Sequence, residues 1–197
     1  MAASETRNSN GLDQFCTSLE ERPGLSILDF AGANQNTISF ITDYGHRLYS
    51  DDFVHQLEQC FGLTGDFYEN QSNPLLVSRF MDTAMDFDEQ SFDGALLWDS
   101  LQFLTPTLLH TVVARLSRIM RPGAALLALF HADERLEEIP TWAFRIQDRR
   151  TLMMTHRPIR RRAQVFNNRS LEKMFQDFHS VKFFLTRDHL REVLVRR

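Results

Sequence analysis

Four aspartates stand where a charged side chain needs a reason. Asp29 closes the apolar run at 25–30 (LSILDF), and Asp51 and Asp52 follow the run at 46–50 (HRLYS). Asp99 comes directly after the apolar run at 92–98 (FDGALLW). A carboxylate at the end of a buried strand is costly without a partner, so Asp29 and Asp99 read as functional. In open α/β sheets, ligands bind beyond the carboxyl ends of the strands, at the N-terminus of the first helix. A carboxylate about twenty residues after the first strand's loop is placed to accept from both ribose hydroxyls. Asp52 fits that spacing, with Asp51 as the alternative, although a solvated turn would also account for the pair. The order strand, loop, helix, strand, acid reads as a nucleoside-binding half.

The elements that must hold these residues are legible in outline. Residues 25–30 are short and apolar with little alternation, as in a strand buried on both faces. A loop, Ala31-Gly32-Ala33-Asn34-Gln35-Asn36, leads to a helical stretch at 37–43 that Gly45 ends. Residues 46–50 form a second strand, and Phe53, Leu57 and Phe61 then fall at helical spacing. Residues 62–73 read as loop and 74–85 as helix, with a hidden strand as the alternative. Residues 92–99 are the next strand. Thr105-Pro106 suits a helix start, with Thr as N-cap and Pro at the first helical position. Leu108, Leu109, Val112, Val113, Leu116, Ile119 and Met120 give that helix an apolar face, and Arg121-Pro122-Gly123 ends it. Residues 124–130 (AALLALF) belong at the centre of the sheet.

The last third differs. Residues 142–155 and 160–166 read as extended segments, and Asn168-Arg169-Ser170 opens a helix. Residues 181–185 and 192–195 are strands too close in sequence for a crossover helix, so they must pair antiparallel. Strands alternating with helices imply a mostly parallel sheet covered on both faces. Residues 1–22 form a polar N-terminal arm, either loose or carrying a short helix around Leu12, Phe15 and Leu19. Residues 23–197 form one domain, with an Arg-rich insertion at 142–169.

Several stretches together resemble the class I S-adenosylmethionine-dependent methyltransferases. They are ILDFAGANQNTISFI (27–41), HRLYSDDF (46–53), SFDGALLWDSLQFL (91–104), RLSRIMRPGAALLALF (115–130) and VKFFLTRDHLREVLVRR (181–197). The resemblance covers most of 25–131 and the C-terminal strands. It implies a Rossmann-like α/β sandwich, mostly parallel, ending in an antiparallel β-hairpin. It also implies S-adenosyl-L-methionine as cofactor. Asp29 would then meet the cofactor's amino group, and the backbone at Ala31, Gly32 and Ala33 would face its adenosine and methionine parts. Asp52, or Asp51, would hold the ribose, and Asp82 is a weak match to an acid near the adenine. Trp98 and Asp99 would lie beside the methyl group. Asp99 and His131, which follows the fifth strand, are the candidate bases. The family's alternating glycines fall here at Ala31, Ala33 and Gln35, with the loop glycine shifted to Gly32. Gln35 could bond the cofactor's carboxylate or fill its pocket.

Composition narrows the classes further. At 197 residues, 43% hydrophobic and 24% charged, the chain suits a globular domain. No apolar run approaches the roughly 18 residues of a membrane span. The polar N-terminus does not read as a signal peptide. Cys16 and Cys60 read as reduced thiols, and no His/Cys cluster has metal spacing, so a cytoplasmic protein without a metal is expected. Net charge is -4, divided into -13 over residues 1–100 and +9 over 101–197. The stretch from Arg145 to Arg169 holds eight Arg and one acid, Asp148. It reads as an edge guarded by charge, its arginines pairing with the acidic half. The competing reading is recognition of an anionic acceptor or of RNA phosphates. A nicotinamide oxidoreductase would need a GxGxxG loop, which is absent. The leading expectation is a methyltransferase acting on a small-molecule acceptor. The alternative is a non-catalytic partner or regulatory protein of the same fold that has lost its cofactor.

Overall fold

Apolar residues on the central strands alternate between two cores, and that alternation explains the layering. The computed structural model describes residues 4–20, 22–63, 65–186 and 189–197. Its larger sheet contains β2 (Ser26–Asp29), β3 (Arg47–Ser50), β4 (Phe92–Trp98), β5 (Met120–His131), β8 (Ser180–Phe184) and β9 (Leu190–Arg196). The spatial order is β3-β2-β4-β5-β9-β8. The first four strands are parallel, and β9 pairs antiparallel with both β5 and β8. The expected terminal hairpin is therefore present, with its last strand inserted against β5. As strands alternate faces residue by residue, Leu28, Ala95, Leu97, Leu126, Ala128 and Val193 point into one core. Ile27, Leu96, Trp98, Ala125, Leu127 and Leu194 point into the other.

Helices α3 (Phe53–Phe61), α4 (Phe67–Asn70), α5 (Pro74–Ala84), α6 (Pro106–Ile119) and α7 (Asn168–Met174) contribute to the first core. Residues 74–84 are thus helical, and part of the loop expected at 62–73 forms α4. Asn73 caps α5, and Asn167 and Ser170 form a reciprocal capping box on α7. Thr105 stands at the N-cap of α6 as expected, but its hydroxyl makes no capping bond, and Pro106 supplies the start.

Helices α1 (Asn10–Leu19) and α2 (Gln35–Asp43) cover the opposite face. Residues 4–20 are not a loose arm, and the short helix expected around Leu12, Phe15 and Leu19 is present. Leu12, Phe15, Cys16 and Leu19 of α1 are buried against the sheet. Glu192 of β9, fully buried, accepts from Arg7 Nη1 at 2.6 Å and from the Gly11 amide at 2.5 Å. A Cβ at Gly11 would lie 2.8 Å from both Glu192 and Leu127, so only glycine lets α1 approach this closely.

A second sheet was not foreseen. Strands β1 (Ser4–Asn8), β6 (Glu138–Asp148) and β7 (Thr151–Arg161) form an antiparallel sheet in the order β1-β7-β6. The extended segment expected at 160–166 leaves the strand after Arg161; β1 covers only residues 151–155 of β7, and residues 156–161 pair with β6 alone among the described residues. The pairing of residues 151–155 with β1, from the far end of the chain, is what the local sequence could not reveal. Phe144, Ile146, Leu152 and Met154 of this sheet complete the second core. The Ile146 amide also donates to Thr37 Oγ1 of α2 at 3.1 Å. No helix among the described residues is long and apolar enough to cross a membrane.

Candidate functional site

The carboxyl ends of β2, β3 and β4 bring Asp29, Asp51, Asp52, Trp98 and Asp99 into one neighbourhood. Asp29 is fully buried, and its acceptors are taken. Oδ1 accepts from Trp98 Nε1 at 2.6 Å and from the Ala31 amide at 3.1 Å, and Oδ2 accepts from Ser50 Oγ at 3.3 Å. Burial pushes its carboxyl up to about 6, and the three hydrogen bonds oppose that rise. Trp98 sits at φ +51°, a left-handed backbone that is unfavourable for a bulky side chain. Two contacts hold it there: the bond to Asp29, and a parallel stack on Phe144 of β6 with centroids 5.2 Å apart.

The loop after β2 lies against the residues after β3. Ala31 bridges Asp52 through backbone, and the Gly32 amide donates to Asp51 O at 3.2 Å. Gly32 has φ +80°, and a Cβ there would come within 3.2 Å of Asp52 Cβ. The one glycine of this loop therefore stands where both backbone and space require it. Ala33 and Gln35 are exposed. Gln35 donates to Ser39 Oγ at 3.0 Å along α2, so it does not fill a pocket. Asp51 accepts from Gln56 at 3.4 Å. Asp52 Oδ1 caps α3 through the His55 amide at 3.0 Å, and Oδ2 lies 3.6 Å from Arg157 Nη2. Asp82 pairs with Ser78 on the exposed face of α5, 3.5 Å away.

Asp52 and Asp99 both line a cavity of about 730 Å³. Val54, His55 and Glu58 of α3 form one wall, and Thr141 and Trp142 of β6 with residues 157–161 of β7 form another. Phe67, Tyr68 and Phe103 supply aromatic surface. Asp99 is 6% exposed, and its Oδ2 has no hydrogen-bond partner among the described residues. Burial pushes its carboxyl up to about 7, offset in part by backbone amides and by Arg157 and Arg160. Trp142 Nε1 is likewise buried without a partner. A small pocket of about 20 Å³, room for one water, lies between Ala31, Asp52, Trp98, Asp99, Trp142 and Phe144.

His131 ends β5 but does not line this cavity. Its ring stacks on His189 with centroids 6.3 Å apart, and its buried Nδ1 has no partner among the described residues. Burial, then Arg162 and His189, lower its basicity. Four of the eight arginines in the Arg-rich stretch pair with acids of the acidic half. Arg149 bonds Asp13 and Glu20, Arg150 lies 3.2 Å from Asp13, Arg157 meets Asp52, and Arg160 bonds Glu58. Sequence reasoning missed Trp142, Tyr68 and Phe103 as cavity residues. Nothing local marks them, because they meet only when the second sheet folds over the first.

Strand order and crossover pattern decide the architecture. The chain has the class I methyltransferase fold. A Burkholderia thailandensis 1,6-didemethyltoxoflavin-N1-methyltransferase, solved with 1,6-didemethyltoxoflavin and S-adenosylhomocysteine, superposes with a TM-score of 0.51 at 14% identity, over 95% of this chain and 78% of that one. A protein from Pyrococcus horikoshii superposes at 0.54 and 15% identity, over 94% and 88%. A SAM-dependent methyltransferase from Methanosarcina mazei gives 0.50 and 15%, over 92% and 96%. No family model and no curated protein matches the sequence.

Proposed function

We infer that this chain is an S-adenosyl-L-methionine-dependent methyltransferase acting on a small-molecule acceptor. One observation carries the reading: in a class I methyltransferase fold, the cavity at the carboxyl ends of the parallel strands is lined by the two carboxylates that sequence spacing singled out, Asp52 and Asp99. Its volume lies within the range of small-molecule and cofactor sites. The cofactor supplies an already activated methyl group. Asp52 fits the ribose role, lining the cavity with its Oδ2 3.6 Å from Arg157 Nη2. Asp99 fits the role of a group that holds or accepts an acceptor's proton, as a buried carboxyl poised near neutrality.

Asp29 does not fit the amino-group role in this arrangement. Trp98 and Phe144 close it off, and all of its bonds are internal. That observation favours the second reading, a non-catalytic partner of the same fold. For the enzyme to bind cofactor at Asp29, Trp98 and Phe144 must part, which means that β6 shifts.

Calorimetric titration with S-adenosylhomocysteine separates the two readings. The enzyme reading expects saturable binding by the wild type, weakened at least tenfold in Asp52→Ala. No binding at millimolar ligand, either in the wild type or in Trp98→Ala where the plug is removed, would leave the non-catalytic reading.

A further inference from the structure

The cavity beside Asp99 has a composition that selects among ligands. Two of its cations are already matched, Arg157 by Asp52 and Arg160 by Glu58, while exposed Arg161 makes no ion pair among the described residues. The Arg160 guanidinium also lies over the rings of Phe67 and Phe103, 5.7 and 5.4 Å from their centroids. A polyanion would have to break these two pairs and lie beside three carboxylates, Asp52, Glu58 and Asp99, so charge does not favour phosphate or RNA. What is left unmatched is directional: among the described residues Asp99 Oδ2 lacks a donor, and Trp142 Nε1 lacks an acceptor, both buried. A buried polar atom left unpaired is costly, so a ligand that satisfies it gains affinity. The surrounding aromatic surface suits a flat ring, which stacks or packs edge-to-face.

We propose that this cavity takes an uncharged, flat aromatic ligand whose ring N–H or O–H donates to Asp99, and that this ligand is the methyl acceptor. The assignment as acceptor rests on the methyltransferase reading above; the recognition chemistry does not. A donor group on the ring pairs with Asp99 Oδ2, and a ring acceptor atom on the ligand can meet Trp142 Nε1. Asp99 is then both the recognition group and the proton's destination.

The test is ligand-observed NMR titration at pH 8, where Asp99 is ionised. Phenol and indole carry the donor. Anisole and 1-methylindole carry the same rings without it. Benzoate and phenyl phosphate carry negative charge. Phenol and indole should bind at least tenfold more tightly than their methylated counterparts and than either anion. Asp99→Leu should erase the preference for the donor while keeping ring binding. Should that variant fail to fold, Asp99→Asn should reduce the preference. Equal binding of phenol and anisole, or tighter binding of phenyl phosphate, overturns the proposal. A separate titration with S-adenosylhomocysteine keeps the two claims apart. Cofactor binding without a donor preference sinks this inference and leaves the function standing. A donor preference without cofactor binding overturns the acceptor assignment and the proposed function together.

Discussion

Two buried carboxyls dominate at the scale of single residues, and both titrate well above the ordinary aspartate range. Asp29 lies near 6 and Asp99 near 7, burial being the main cause in each. A carboxyl raised in the folded state holds its proton longer there than in the unfolded chain. Its contribution to stability is therefore complete below about pH 4 and is lost as pH rises toward 7. Thermal melts from pH 5 to pH 8 should show this loss, and Asp99→Asn should melt with a flatter pH dependence than the wild type. In catalysis the sign reverses. Proton acceptance needs the ionised form, so kcat/KM for an acceptor that must lose its proton should rise with an apparent pKa near 7. A pH-independent rate would remove Asp99 from that role. Trp98→Phe keeps the ring but deletes the donor to Asp29, and should cost about 1–3 kcal/mol in urea unfolding.

Elements show where local sequence suffices. The parallel strands, α6 and the closing hairpin carry strong periodicity, turn residues and spacing constraints, so their types and order could be read directly. Asp52, Asp99 and the Arg-rich stretch were legible for the same reason, as charges placed against those patterns. The second sheet was not legible, because β7 finds its partner β1 nearly 150 residues away. Trp142 joins the cavity on β6, which pairs with β7 as a hairpin and lines the cavity opposite α3. The sealing of Asp29 was hidden likewise, since Trp98 and Phe144 stack across the two sheets. The N-terminal segment, polar on average, buries one apolar face of α1 and fastens it through Glu192. Glu192→Ala leaves the Arg7 guanidinium and the Gly11 amide without that carboxylate, and should destabilise the fold by about 3–5 kcal/mol. If a denaturant midpoint is unmoved, the N-terminal strand and helix are not part of the cooperative unit.

Across the whole molecule, part of the uneven charge of the sequence is taken up by internal pairing. The basic C-terminal half lays Arg149, Arg150, Arg157 and Arg160 on acids of the N-terminal half. The second sheet is thereby held over the carboxyl ends of the first, and the cavity is what remains between them. The same packing that builds the cavity closes Asp29, so cofactor affinity and the position of β6 are one question. Titration of the wild-type protein with S-adenosylhomocysteine, repeated on Asp52→Ala, tests this most directly. Saturable binding that weakens at least tenfold in the variant is the predicted result. Heatless titration at millimolar ligand, with no rise in melting temperature in either the wild type or Trp98→Ala, would contradict it.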